Sequence, residues 1–144
     1  MNDEQRQARD ILQKYRNEKK NLRHINDKIQ SLKSRINSST SVPKEVQVMG
    51  TSSDKSELIC IMADLSKLYE AEKLSNQEFM LTIENNLASM PNSLSRRTLR
   101  NYYLYNHRFE QIALCESLCY RSIVRFHQRA LQEYYDEFIN PNIN

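Results

Sequence analysis

The chain has 144 residues, enough for one or two small domains, and its 21 basic and 18 acidic side chains leave a net charge of only +3. It contains one Gly and three Pro, where average usage would give about ten and seven, and this deficit argues against turn-rich β architectures. With 27% charged residues and a mean hydropathy of −0.77, the composition favours long amphipathic helices that expose much of their surface. We therefore expect an all-α protein.

No segment of the sequence is apolar enough to span a membrane. The apolar run that ends at Ala63 is far shorter than the ~20 residues required, and no apolar stretch of signal-peptide length follows Met1. We therefore expect a cytoplasmic protein without membrane contacts. The three cysteines, an odd number, do not indicate a disulfide framework, and we interpret them as thiols buried like small hydrophobic residues.

Apolar residues follow a heptad pattern in the first quarter of the chain. The two seam positions are occupied by Ala8, Tyr15, Leu22, Ile29 and Ile36, and by Ile11, Ile25 and Leu32. Polar and charged residues fill nearly all positions between them, so the pattern predicts a helix over 5–37 with a narrow apolar stripe. Such a helix needs a partner helix.

Turn-forming residues interrupt the periodicity over 37–54, which we interpret as a linker. A second striped helix of similar length is predicted over 55–88, and the matched lengths favour an antiparallel hairpin over 1–90 that serves oligomerisation or partner binding. In this hairpin we expect contacts between two sets of seam residues, namely Ile25, Ile29 and Leu32 against Leu58, Met62 and Leu65. We expect the remaining seam, with Tyr15 and Leu22, to support a homodimer.

Positive charge is concentrated in the last third of the chain. Residues 93–131 contain seven Arg, no Lys and two Glu, a net charge of +5, which is typical of a nucleic-acid-binding module. Three further helices are predicted at 93–105, 109–115 and 119–138. The last two have the pattern of a helix-turn-helix, which we place in a domain over 91–144.

The predicted helix-turn-helix separates its side chains into two faces. We expect Leu118 to fill the turn, and the residues with the spacing of a buried face are Ile123, Phe126, Ala130 and Leu131. The residues expected to contact base edges in a major groove are Tyr120, Arg121, Val124, Arg125 and Gln128. The residues expected to contact DNA phosphates are Arg96, Arg97, Arg100, Arg108, Arg129 and His127, with helix packing as the alternative for His127.

Three stretches of this segment carry a resemblance to a known family. They are Leu99-Arg100-Asn101-Tyr102-Tyr103, then Phe109-Glu110-Gln111-Ile112-Ala113, and then Ile123-Val124-Arg125-Phe126-His127-Gln128-Arg129-Ala130-Leu131. In these residues the chain resembles the phage-encoded transcriptional regulators of the ArpU/RinA type, whose C-terminal part is similar to the helix-turn-helix of sigma factors. The resemblance implies a sequence-specific double-stranded DNA-binding regulator of phage or mobile-element genes. One departure is in the turn, where Glu116-Ser117 stands in place of the family's Leu-Gly.

Other functions stay open beside DNA-dependent regulation. The first is the small DNA-recognition subunit of a phage terminase, and the second is a protein-interaction module that binds a host or phage protein, RNA polymerase being one candidate. Catalysis and a bound cofactor are not expected, because the single glycine cannot build a phosphate-binding loop and no pattern activates a nucleophile. A zinc site at Cys115 and Cys119 is disfavoured. Cysteine pairs that bind zinc usually lie on a tight, shaped loop, whereas Cys119 is predicted to begin the last helix.

Overall fold

The structure, a computed structural model, describes residues 1–39 and 51–140, and within these ranges it is all-α, without strands. Its helices are α1 (Asp3–Ser39), α2 (Thr51–Ala88), α3 (Ser93–Leu99), α4 (Phe109–Glu116) and α5 (Tyr120–Tyr134). Two π-helical turns, Arg100–Leu104 and Tyr135–Ile139, extend α3 and α5. The all-α prediction is confirmed. The centre of the predicted linker, residues 40–50, lies outside the described residues.

The chain forms two compact units. One unit contains Met1–Glu18 and Glu78–Asn144, and the other contains Lys19–Gln77. The start of α1 and the end of α2 thus lie in the first unit, and the end of α1 and the start of α2 lie in the second. The proposed division into a hairpin domain and a helix-turn-helix domain at residue 90 concerns independent folding and stays a prediction.

The core of the first unit joins the start of α1 and the end of α2 to the C-terminal helices. Its fully buried members come from α1, from α2 and from the later helices: Ala8, Leu12, Tyr15, Ile83, Leu87, Met90, Leu99, Tyr103, Ala130, Leu131 and Tyr134. The Tyr15 hydroxyl donates a 2.6 Å hydrogen bond to Glu84. Tyr15 is therefore fully buried by contacts within its own chain. The prediction that it lies on an exposed seam available to a second chain is wrong.

The second unit has a much thinner core. Among its described residues only Ile25 is buried. The other seam residues, in both helices, are half-buried: Leu22, Ile29, Leu32, Ile36, Leu58, Met62, Leu65 and Tyr69. The unit contains both stretches that were predicted to pack together, and it leaves part of each accessible.

None of the helices in the described ranges combines the length and the apolar character that a membrane crossing requires.

Candidate nucleic-acid interface

The connection between α4 and α5 is a tight turn of three residues. Ser117 ends α4 in the left-handed conformation, with φ 56° and ψ 40°. The amide of Leu118 donates to the Ala113 carbonyl at 2.9 Å, which is the hydrogen bond that closes a Schellman motif. Glycine is the usual residue at such a position, so the chain makes a helix-turn-helix connection with a serine where a side chain is sterically disfavoured.

The residue before this turn is tied to α3. Arg97 donates two hydrogen bonds to Glu116, of 2.7 and 2.9 Å, and the Glu116 side chain is only 15% exposed. The hydrogen bonds from Arg97 lower the pKa of Glu116, and the same pair raises the pKa of Arg97. A charged, two-point contact thus anchors the turn. Arg97, expected to contact phosphate, has an internal partner that the sequence did not indicate.

The inner face of α5 packs as predicted at its first turns, whereas Leu118, in the turn before α5, does not. Ile123 forms a buried cluster with Ile112 and Ala113 of α4. Leu118, expected to fill the turn, is exposed. The contact between α4 and α5 is formed by Ala113 and Ile123 beside the Schellman turn. The Leu118 side chain is therefore not required to fill the space between the two helices.

His127 lies in the core and not at a DNA-facing surface. Its Nε2 and the Tyr103 hydroxyl are joined by a 2.8 Å hydrogen bond, and its ring lies 5.0 Å from Phe109 and 5.3 Å from Tyr102 between centroids. Burial lowers the pKa of His127 to about 4, so the ring is neutral at neutral pH. The prediction of a phosphate contact is wrong for His127, because the ring is enclosed by aromatic side chains, and the alternative of helix packing holds.

The outer face of α5 presents the residues expected to contact bases. Arg121 and Arg125 are both exposed, four residues apart, and neither guanidinium forms an ion pair with a described residue. Tyr120 is also exposed and makes an edge contact with Phe109. Val124 and Gln128 are half-buried at the border of this face. Since residues four apart lie one above the other on a helix, the two arginines form the centre of one continuous surface.

The arginines expected to contact phosphates divide into two groups. Arg96 donates to the Met90 carbonyl at 2.9 Å, and Arg100 donates to the Tyr105 hydroxyl at 3.1 Å, so both make contacts within the fold. Arg108 lies exposed immediately before α4, and Arg129 is exposed one turn after Arg125 with its guanidinium over the Phe126 ring. Arg108 and Arg129 are therefore the members of the set with the most accessible charge.

The cysteines are exposed, which corrects the expectation of buried thiols. Cys119 immediately precedes α5, and its sulfur is 3.2 Å from the Ser122 hydroxyl, an interaction that lowers the pKa of the thiol. In the part of the chain that the structure describes, no group of three or more His, Cys, Asp or Glu side chains is placed to hold a metal ion.

One exposed apolar residue was not anticipated by the sequence pattern. Leu114 on α4 is 81% exposed, close in sequence to the exposed Leu118. The helix α4 has only eight residues, too few for periodicity to separate an exposed apolar residue from a buried one. The sequence therefore gave no signal that Leu114 is exposed.

Comparison with known proteins gives no match, since no family model, no curated protein and no solved structure matches the chain. What the chain does must therefore be inferred from its own residues.

Proposed function

We propose that the chain binds double-stranded DNA sequence-specifically and regulates transcription, with α5 as the recognition helix. The observation that carries the proposal is the outer face of α5. It presents Arg121 and Arg125 to solvent without ionic partners among the described residues, while the opposite face is fixed in the core through Ile123 and His127. A helix held on one face and basic on the other fits the major groove of B-DNA.

The proposed contacts follow from the side-chain chemistry. Arg121 and Arg125 are suited to bidentate hydrogen bonds with guanine, and Gln128 is suited to adenine at the border of the same face. Arg108 and Arg129 supply phosphate contacts that set the register of the protein on the duplex. Regulation of phage or mobile-element genes comes from the resemblance to ArpU/RinA-type regulators alone.

A protein-interaction role is a second candidate, favoured by the exposure of Leu114 beside the turn. Exposed leucines of this kind are typical of contact surfaces when they form part of a larger apolar patch. In this alternative the helix-turn-helix is a scaffold and the partner is a phage or host protein such as RNA polymerase. The variant Leu114→Gln distinguishes the two functions. It should weaken binding of a protein partner but leave duplex binding unchanged, because the α5 arginines are not altered.

The test begins with selection of binding sites from random duplexes. Wild-type protein and three variants are then titrated against the selected duplex and a scrambled one at several salt concentrations. Arg125→Ala removes a base contact, Arg108→Ala removes a phosphate contact, and Arg23→Ala is the matched control because Arg23 is an exposed arginine outside the helix-turn-helix.

We expect Arg125→Ala to cost about 1–3 kcal/mol on the selected duplex and to relax selectivity at one base pair. Arg108→Ala should weaken both duplexes alike and reduce the salt slope by about 0.9. Arg23→Ala should match wild type. Absence of duplex binding at low salt, or unchanged selectivity in Arg125→Ala, would overturn the assignment of α5 and favour the protein-interaction role.

A further inference from the structure

The second compact unit, Lys19–Gln77, carries an apolar stripe that its own hairpin does not cover. On α2, Ile61 is 47% exposed and Leu68 is 46% exposed. They are seven residues apart, and each immediately precedes a seam residue, Met62 or Tyr69. A helix with a second apolar stripe next to its seam contacts more than one neighbouring helix.

The two helices of this unit carry opposite charges. The α1 part, residues 19–39, contains six Lys and Arg and one Asp, whereas the α2 part, residues 51–77, contains five acidic and three basic residues. On α2 the acidic side chains of Glu57 and Asp64 are exposed and border the stripe of Ile61 and Leu68 with the same seven-residue spacing. The uncovered stripe therefore has an acidic edge.

A basic edge occupies the equivalent positions of α1. Lys28 immediately precedes the seam residue Ile29, and Arg35 immediately precedes Ile36, again seven residues apart. In an antiparallel helix pair, equivalent positions of the two helices flank the seam on the same side. One face of the hairpin thus combines the apolar stripe and acidic edge of α2 with the basic edge of α1, and it is complementary in charge to a second copy of itself.

We infer that two chains associate through this face into a four-helix bundle with two-fold symmetry, in which α2 of one chain packs against α1 of the other. The pairing places Glu57 and Asp64 next to Lys28 and Arg35 of the second copy, whereas pairing of α2 with α2 would bring like charges together. It also covers Ile61 and Leu68 together with the half-buried seam residues, which a hairpin of two helices leaves accessible. This dimer is independent of the proposed DNA contacts, which lie in the other unit.

The first test is the mass of the full chain by sedimentation equilibrium at micromolar concentration under reducing conditions. We expect wild type to be a dimer, and we expect Ile61→Glu with Leu68→Glu to raise the dissociation constant by about a hundredfold or more, because each lost apolar contact occurs twice in a symmetric dimer. The matched control is Leu74→Glu, since Leu74 is 73% exposed and lies outside the stripe. It should remain dimeric.

The second test uses charge, so it does not depend on how the glutamate variants fold. Glu57→Lys with Asp64→Lys should weaken the dimer at low salt, and adding Lys28→Glu with Arg35→Glu should restore it. A monomeric wild type, a dimer insensitive to Ile61→Glu with Leu68→Glu, or a charge reversal that the second pair of substitutions fails to restore would overturn the inference.

Discussion

Arg97 of α3 and Glu116 at the end of α4 form a two-point ion pair, with nitrogen to oxygen distances of 2.7 and 2.9 Å. The pair lies directly before Ser117, the left-handed residue that turns the chain into α5. Here an ionic contact between helices orients the turn, so its strength depends on the protonation of one carboxyl group.

The first prediction concerns the pH dependence of that contact. Because the folded state lowers the pKa of Glu116 below its ordinary value of 4.5, the stabilisation is complete above that value and is lost as the pH falls through the folded pKa. We expect wild type to lose more stability than Glu116→Gln as the pH is lowered below about 4.5. Urea unfolding at a series of pH values measures the difference.

The control for this experiment is Glu70→Gln, which removes an exposed carboxylate from the middle of α2. It should keep the pH dependence of wild type. Parallel curves for wild type and Glu116→Gln would show that the Arg97 contact does not contribute to stability.

The second prediction concerns Ser117. The left-handed conformation costs a residue with a side chain about 1–2 kcal/mol. Glycine avoids this steric cost but loses more conformational entropy on folding. Ser117→Gly should therefore stabilise the protein by about 0.5–1 kcal/mol. Asn106 is also left-handed, with φ 58°. Asn106→Gly should gain less, because asparagine tolerates this region and because its side chain accepts hydrogen bonds from Arg16 that glycine would lose. No gain from Ser117→Gly, measured by urea unfolding, would contradict the strain assigned to Ser117.

The predictable parts of this structure are those governed by periodicity. A heptad extending from Ala8 to Ile36 predicts a long helix, and Pro91 predicts the end of the helix before α3. The capping residue of α3 was not predicted: a serine, Ser93 or Ser95, was expected, and the N-cap is Asn92. Periodicity did not determine what covers Tyr15. Its seam position was recognisable, but whether α2 or a second chain would cover it depended on the hydrogen bond to Glu84, which joins residues far apart in sequence.

Only part of the candidate site was predictable from the sequence. The spacing of Arg121 and Arg125 placed them correctly on the exposed face of α5. His127 was ambiguous, because its burial results from the convergence of Tyr102, Tyr103 and Phe109, three residues from outside α5. The partner of Arg97 was not predictable, because an ion pair between two surface helices leaves no periodic pattern.

The third prediction uses the burial of His127. Its folded pKa of about 4 lies below its ordinary value of 6.5, so the unfolded chain binds a proton first and stability falls as the pH is lowered between these values. We expect a loss of about 3 kcal/mol over this interval, which His127→Gln should largely abolish. His24→Gln is the control, because His24 is exposed on α1. A wild-type slope unchanged in His127→Gln would contradict the burial of a neutral ring.

The fourth prediction tests the joint core of the first unit. Leu12 of α1 is fully buried among residues of α2 and the later helices. Leu12→Ala should therefore lower the free energy of unfolding by about 2–5 kcal/mol. Leu81→Ala, at an exposed position of α2 in the same unit, should change it by less than about 0.5 kcal/mol. Similar effects of both substitutions on the urea midpoint would contradict the packing of α1 onto this core.

The π-helical turn at Arg100–Leu104 has a consequence for insertions and deletions. The amide of Tyr105 bonds to the carbonyl of Arg100, five residues back, so this turn holds one residue more than an α-helical turn. The wide turn lets the neighbours Tyr103 and Leu104 both enter the core. Losing one residue here would restore ordinary helical winding and rotate one of the two out of the core by about 100°. Homologous chains are therefore expected to conserve length across this turn more strictly than the identity of its polar residues.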